Sequence, residues 1–367
     1  MMHETGCLQF NKLQRREYKG VQLLRFFAAL LVLVMHASLY ASERLNPIYA
    51  SIIWDPGSSG VDIFFVISGF VIAIGSQGLE HHRNGWKDFA VRRGIRIIPL
   101  YWIMTVAKII LVFAIPASAL HSSFDFVHIG LSFFFLPAKA VNGTIFPYLG
   151  VGWTLNFEFL FYFLFCLALF LHRSTFKFCL FVLCAFALLS MLRKPDWPPV
   201  SFYFDPITIE FLFGLAIAKA TISGKTPSTT VSVLLALTGV LLIVLPPEIL
   251  FELPRLAKRG IPALMLVAGV VFLEDKLLFR IPHKILFLGE ASFAIYLSHP
   301  FVAPIPPTLL RSVGVDNLFL SMSMSIILAT YAGCILWRFV DKPIHYRLKK
   351  LLAKGTRDLQ SISEKKV

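Results

Sequence analysis

Residues 23–37 read LLRFFAALLVLVMHA, an apolar run interrupted only by Arg25 and His36. The run extends over residues 21–40, enough for a helix of ~20 residues to cross ~30 Å of hydrocarbon. Arg25 and His36 are eleven positions apart. At ~100° per residue this is roughly three full turns plus ~20°, so both side chains leave the same side of the helix. Their separation along the axis is about 16 Å, half the bilayer core. Singly, Arg25 reads as a snorkelling anchor and His36 as an interfacial residue. Sharing one face favours a polar track inside a helix bundle.

The whole chain repeats this apolar character. It has 367 residues, 57% of them hydrophobic and only 15% charged, with 36 Phe and a mean hydropathy of +0.72. A soluble domain carries about a quarter charged residues. A water-facing surface cannot be made from so few, which excludes a soluble globular enzyme, a disordered chain and a coiled coil. The sequence predicts an all-α polytopic membrane protein. Ten apolar segments fall at 21–40, 58–75, 97–116, 152–171, 177–192, 203–220, 230–246, 260–274, 285–304 and 318–339. They leave no room for a separate soluble domain.

An eleventh segment, 124–137, is short and holds Asp125 and His128 in its first turn. Such a segment is expected to be re-entrant or interfacial. Charge tests this assignment. With ten crossings and a cytoplasmic N-terminus, 25 of the 35 Lys and Arg lie inside and 8 outside, with Arg25 and Lys108 inside helices. That asymmetry follows the positive-inside rule. A crossing at 124–137 would put the nine basic residues from 338 onward outside. Both termini are therefore expected in the cytoplasm. The expected organisation is a cytoplasmic segment 1–20, a transmembrane domain 21–343 and a basic tail 344–367 along the anionic inner leaflet.

The net charge of +14 is absorbed by topology and tail, so no nucleic acid is expected as a partner. The polar start argues for a retained first helix rather than a cleaved signal peptide. Cys7, Cys166, Cys179, Cys184 and Cys334 form no C-x-x-C pair and read as small packing residues. No zinc, P-loop or G-x-S-x-G pattern occurs, and no metal is expected. Asn142-Gly143-Thr144 matches a glycosylation acceptor, a triplet common by chance.

Other ionisable residues stand where lipid should be. Asp62 lies near the outer end of the second segment, at a depth similar to His36, among Gly57, Gly60, Ser68 and Gly69. The small residues there read first as close helix packing. Arg92, Arg93 and Arg96 sit on the inner side, just ahead of the third segment. Arg93 and Arg96 share a face if that turn is helical, and their guanidinium forks suit phosphate; topology control is the plainer reading. Glu158 lies inside the fourth segment and needs a partner, for which His36 or an arginine is the natural choice. Glu210 is expected nearer mid-depth in the sixth, in a structural role. His299 closes the ninth, and Pro300 favours a break in the helix there.

Five stretches in order resemble the acyltransferase 3 family of integral membrane acyltransferases, over roughly 18–345. Arg25 and His36 match its R-x10-H motif, and residues 57–70 its G-x-x-G-V-D-x-F-F-x-x-S-G-F segment. Residues 93–99 match R-x-x-R-I-x-P, residues 153–162 match W-[ST]-L-x-x-E-x-x-F-Y, and residues 289–299 match G-x-x-S-[FY]-x-x-Y-L-x-H. The run from Gln22 to Leu30 is similar to the exopolysaccharide-modifying branch. One departure is Asp341 before Lys342-Pro343, where the family often has Glu; the exchange is conservative.

The resemblance implies transfer of an acyl group, usually acetyl from acetyl-CoA, to a sugar hydroxyl of a surface glycan. It implies His36, Glu158, Arg25 and Asp62 as catalytic residues, with His36 a general base oriented by Glu158 or Asp62. It implies Arg92, Arg93 and Arg96 on the CoA phosphates, and His299, Trp153 and Ser68 on the acceptor side. The expected partners are a glycan or lipid-linked saccharide and the bilayer, with a second copy of the chain or polysaccharide-export components as further candidates. The expected location is the bacterial cytoplasmic (inner) membrane. Transfer of succinyl or another acyl group, transport or flipping of a glycan precursor, and an inactive export-complex component stay open as alternatives.

Overall fold

A computed structural model describes residues 18–115, 125–140, 143–194, 196–245, 253–274 and 281–352. Residues 1–17, Asn142 and residues 353–367, on which the sequence also bears, lie outside the described residues. The described elements are helices, with no strand among them beyond one isolated bridge between Lys139 and Ile145. Twelve α-helices follow one another: α1 Lys19–Arg44, α2 Ser59–Gly75, α3 Gly85–Ala114, α4 Phe126–Phe133, α5 Trp153–Phe170, α6 Thr175–Leu189, α7 Thr208–Ile222, α8 Thr229–Val244, α9 Ile261–Leu273, α10 His283–Val302, α11 Ile305–Ser312 and α12 Leu318–Leu336.

Among the described residues, eight helices are long and apolar enough to cross a membrane. Large hydrophobic side chains point outward from them: Phe113, Phe163, Phe181, Phe319 and Ile327 are each more than 60% exposed. A water-soluble molecule would not present such a surface; hydrocarbon accepts it. The protein is therefore a multi-pass integral membrane protein. Each of the ten apolar segments read from sequence coincides with a helix; adjoining turns lengthen α6 and α9 to 18-residue spans, Thr175–Leu192 and Leu256–Leu273, whereas α7 and α8 stay at 15 and 16 residues.

Several boundaries differ from expectation, each for a local reason. α3 starts at Gly85, twelve residues early, so the arginines stand on a helix and not in a loop. α7 starts at Thr208, after a 3-10 turn at Pro199–Tyr203, which puts Glu210 in its first turn rather than at mid-depth. α10 continues through Pro300 to Val302. Pro300 has no N–H to give the Tyr296 carbonyl, and His299 Nδ1 donates there instead at 2.6 Å. The last helix runs through a π-turn at Trp337–Asp341 and stays helical to residue 352, past Pro343. The wider turn moves the backbone register where proline would have lost its partner.

α4 is eight residues, about 12 Å at 1.5 Å per residue, and cannot span. Asp125 caps it by accepting from the Val127 and His128 amides. Tyr101 and Trp102 of α3 donate to its Ser132 and Phe133 carbonyls at 3.2 and 2.9 Å. His128 Nε2 bonds the Phe146 carbonyl at 2.6 Å. The start of α1 is fixed from a distance: the Lys19 and Gly20 amides both donate to Glu274, at the end of α9, at 2.8 Å. These are orphan donors of a helix start, answered by a carboxylate.

Close backbone approach sets two crossings. A Cβ on Gly69 of α2 would collide with the Phe211 carbonyl oxygen of α7, and one on Gly214 of α7 would collide with the Val66 carbonyl oxygen of α2. Gly239 and Gly269 serve α8 and α9 in the same way. Without a hydrophobic drive between lipid-embedded helices, such backbone proximity is a main source of association. Aromatic stacking adds to it, as between Phe161 of α5 and Phe211, with centroids 4.6 Å apart.

Candidate active site

A cavity opens between α1, α2, α3, α5 and α10, and its polar lining comes from all five. α1 supplies Arg25 and α2 supplies Ser68. Arg93 and Arg96, three positions apart on α3, turn toward the cavity together. α5 contributes Thr154, Glu158 and Tyr162, spaced by four so that they form one stripe, and α10 contributes Tyr296.

Glu158 Oε1 accepts from Ser68 Oγ at 2.9 Å and from Tyr162 Oη at 2.5 Å. These two hydroxyls hold the carboxylate in place. Tyr296 Oη donates to the Val151 carbonyl at 2.8 Å and lies 3.0 Å from Thr154 Oγ1, tying α10 to the start of α5. The Arg93 guanidinium lies over the Phe89 and Tyr162 rings at 5.7 and 5.9 Å, and its Nε has no hydrogen-bond partner among the described residues. Arg96 lies over Phe293 at 5.7 Å and pairs with Asp341 at 3.6 Å. The conservative Asp at 341 therefore still meets an arginine. Three guanidinium groups in one apolar-walled cavity leave it well suited to an anionic ligand.

His36 and His299 meet beside this cavity, with ring centroids 4.7 Å apart. His36 Nδ1 bonds the Val32 carbonyl at 2.9 Å. A carbonyl only accepts, so in both neutral rings Nδ1 carries the hydrogen and Nε2 the lone pair. Tyr296 joins the histidines to the cavity; its ring centroid is 5.9 Å from that of His299.

Asp62 belongs to a different group. It is fully buried and pairs with Arg255 at 2.9 Å, and Arg255 also bonds Glu210 at 3.2 Å. Next to them Arg259 donates to both oxygens of Asp55 at 2.8 and 2.7 Å. Arg255, Lys258 and Arg259, three of the basic residues assigned outside by charge counting, are thus engaged by carboxylates of the bundle. Arg255 stands just beyond the span starting at Leu256. Burial works against its charge, but Asp62 and Glu210 more than offset this and raise its pKa. Neither Asp62 nor Glu158 forms a hydrogen bond with His36 among the described contacts.

The structure thus gathers Arg25, Ser68, Arg93, Arg96 and Glu158 in one cavity and sets His36 with His299 next to it. It leaves Arg92 exposed, turned about 100° from Arg93 and outside the cavity lining. Trp153 stands at the first position of α5, half-buried and edge-on to Phe157, also outside that lining. Thr154, Tyr162 and Tyr296 were not singled out from sequence. The signal for two of them was available: both lie four residues from Glu158 on an otherwise apolar helix.

A family model described as an acyltransferase domain, acyltransferase 3, matches residues 18–338. The chain belongs to that family. It is 30% identical over 303 residues to the exopolysaccharide production protein ExoZ of Rhizobium meliloti (strain 1021), covering 78% of this chain and 89% of that one. It is 27% identical over 383 aligned positions to YrhL of Bacillus subtilis (strain 168), which carries the provisional name of peptidoglycan O-acetyltransferase. That match covers 91% of this chain and 56% of YrhL. No solved structure matches the chain.

Proposed function

We propose that this chain is an O-acyltransferase that moves an acetyl group from cytoplasmic acetyl-CoA to a sugar hydroxyl of an exopolysaccharide or other surface glycan. The carrying observation is the cavity that holds Arg25, Arg93 and Arg96 with Glu158, next to the histidine pair. Names of two relatives support the substrate class: one concerns exopolysaccharide production and the other peptidoglycan O-acetylation.

In this reading Arg93 and Arg96 take the phosphates of the CoA donor from the cytoplasmic side. The Nε of Arg93, without a hydrogen-bond partner among the described residues, supports that assignment. Arg25 faces the thioester and meets negative charge as it develops on the acyl oxygen. His36 removes the acceptor hydroxyl proton at Nε2, a task suited to imidazole. Ser68 and Tyr162 keep Glu158 on the cavity wall. The membrane is the bacterial cytoplasmic (inner) membrane, crossed ten times, with both ends of the chain in the cytoplasm.

The test compares surface glycans, by mass and NMR, from cells with and without the protein. An added acetyl group is expected only with it. His36→Ala should lose that group at unchanged protein level in the membrane, and full acetylation by the variant would overturn the role of His36. Transport of a glycan precursor without any acyl product would overturn the reaction itself.

A further inference from the structure

We infer that His299 is the second half of a proton-sharing imidazole pair, accepting at Nε2 the proton that His36 draws from the acceptor hydroxyl. The inference rests on the acyl-transfer reading of the same site. His299 is 1% exposed, and its Nε2 has no hydrogen-bond partner among the described residues. A buried polar nitrogen left bare is rare enough to need a cause. The local backbone supplies half of it. Pro300 removes the helical donor of the Tyr296 carbonyl, His299 Nδ1 takes its place, and the lone pair is thereby fixed on Nε2. His36 is held in the same tautomer through Val32.

The other half of the cause is His36 itself. Two neutral rings with lone pairs on Nε2 cannot bond each other through those atoms. Once His36 gains a proton, its Nε2–H is a donor, and in the neighbouring ring His299 Nε2 is an acceptor with no other partner among the described residues. A centroid separation of 4.7 Å is compatible with an N–H···N bridge of about 3 Å. A general-base histidine is commonly steadied by a carboxylate. Here the nearby carboxylates are occupied: Asp62 of α2 by Arg255, and Glu158 of α5 by Ser68 and Tyr162. Among the described residues, the other titratable groups in ring contact with the pair are the phenols of Tyr40 on α1 and Tyr296 on α10. The Val32 carbonyl holds His36 Nδ1, where a carboxylate would otherwise sit, and the second imidazole serves the opposite nitrogen, Nε2.

The step balances without an added reactant. The hydroxyl O–H bond breaks, its proton goes to His36 Nε2, and the oxygen electron pair forms the new bond to the acyl carbon. The C–S bond breaks with its electron pair on sulfur. The proton shared by the two rings then passes to that thiolate, giving free CoA thiol and two neutral imidazoles.

The experiment uses the full chain in proteoliposomes, with acetyl-CoA and glycan purified from cells lacking the protein. His299→Gln keeps a neutral amide that accepts a hydrogen bond but cannot take a proton; His299→Asn is the second variant. His299→Gln should lower kcat about 10- to 100-fold, leave the KM for acetyl-CoA within about twofold, and move the acid limb of the pH–rate profile to lower pH. In parallel, nitrogen-15 histidine spectra of the substrate-free wild type should show the two rings titrating as a coupled pair. An active wild type with an unchanged kcat and pH profile in His299→Gln overturns the pair and leaves acyl transfer standing. Independent titration of the two rings also overturns the pair, whether or not either variant folds. Coupled titration in a wild type that transfers no acetyl supports the pair and overturns the acyl-transfer reading instead.

Discussion

Single side chains divide here into those whose partners lie along one helix and those whose partners lie far along the chain. Arg25 and His36 are visible as a pair because eleven residues bring a helix nearly back to the same face. Glu158, Thr154 and Tyr162 are linked by the same periodicity. Asp62 is different: its partner Arg255 is on a segment that no spacing rule connects to α2. Sequence placed Asp62 beside His36 by depth alone, and depth does not fix the direction in which a side chain points. The Asp62–Arg255–Glu210 group carries the first stability prediction. Arg255→Ala leaves two buried carboxylates without their cation and should cost about 3 kcal/mol. Thermal unfolding in detergent would show it. Adding Asp62→Asn and Glu210→Gln should recover most of the loss, because no buried charge then lacks a partner. An unchanged midpoint in Arg255→Ala would mean that the carboxylates are stabilised in some other way.

At the scale of helices, proline and glycine shape this molecule where hydropathy shows nothing. Pro300 does not end α10; it releases a carbonyl that then sets the state of His299. Pro99 lies inside α3 in the same way, and the Ile95 carbonyl is met by His345 from the last helix. The expectation of a break at Pro300 failed because a side chain supplied the missing donor. Gly69 and Gly214 let α2 and α7 cross at backbone contact. Gly69→Leu should drive the two helices apart, since the obstacle is a backbone carbonyl that cannot rotate away. Fluorescence-detected size exclusion should report aggregated or absent protein. A monodisperse peak at wild-type level would show that the crossing has slack.

In the proposed topology the whole molecule is ordered by charge across the membrane. With 25 of 35 Lys and Arg assigned inside, the proposed topology puts Lys225 in the cytoplasm and Val315 outside. Both are exposed. In a background without native cysteines, Val315→Cys should react with an impermeant maleimide on intact spheroplasts, and Lys225→Cys only after permeabilisation. The reverse pattern would invert the topology. The membrane class, the helix-forming segments, the shortness of 124–137 and the candidacy of Arg25, His36, Arg93, Arg96 and Glu158 were decided by the sequence alone. They depend on apolar length, charge bias and helical period, which are properties of neighbouring residues. The pairing of Asp62 with Arg255, the meeting of His36 with His299 and the exclusion of Arg92 and Trp153 from the cavity lining were decided only by the tertiary structure. Each depends on how helices far apart in the chain rotate against one another, and that rotation is set by packing across the bundle.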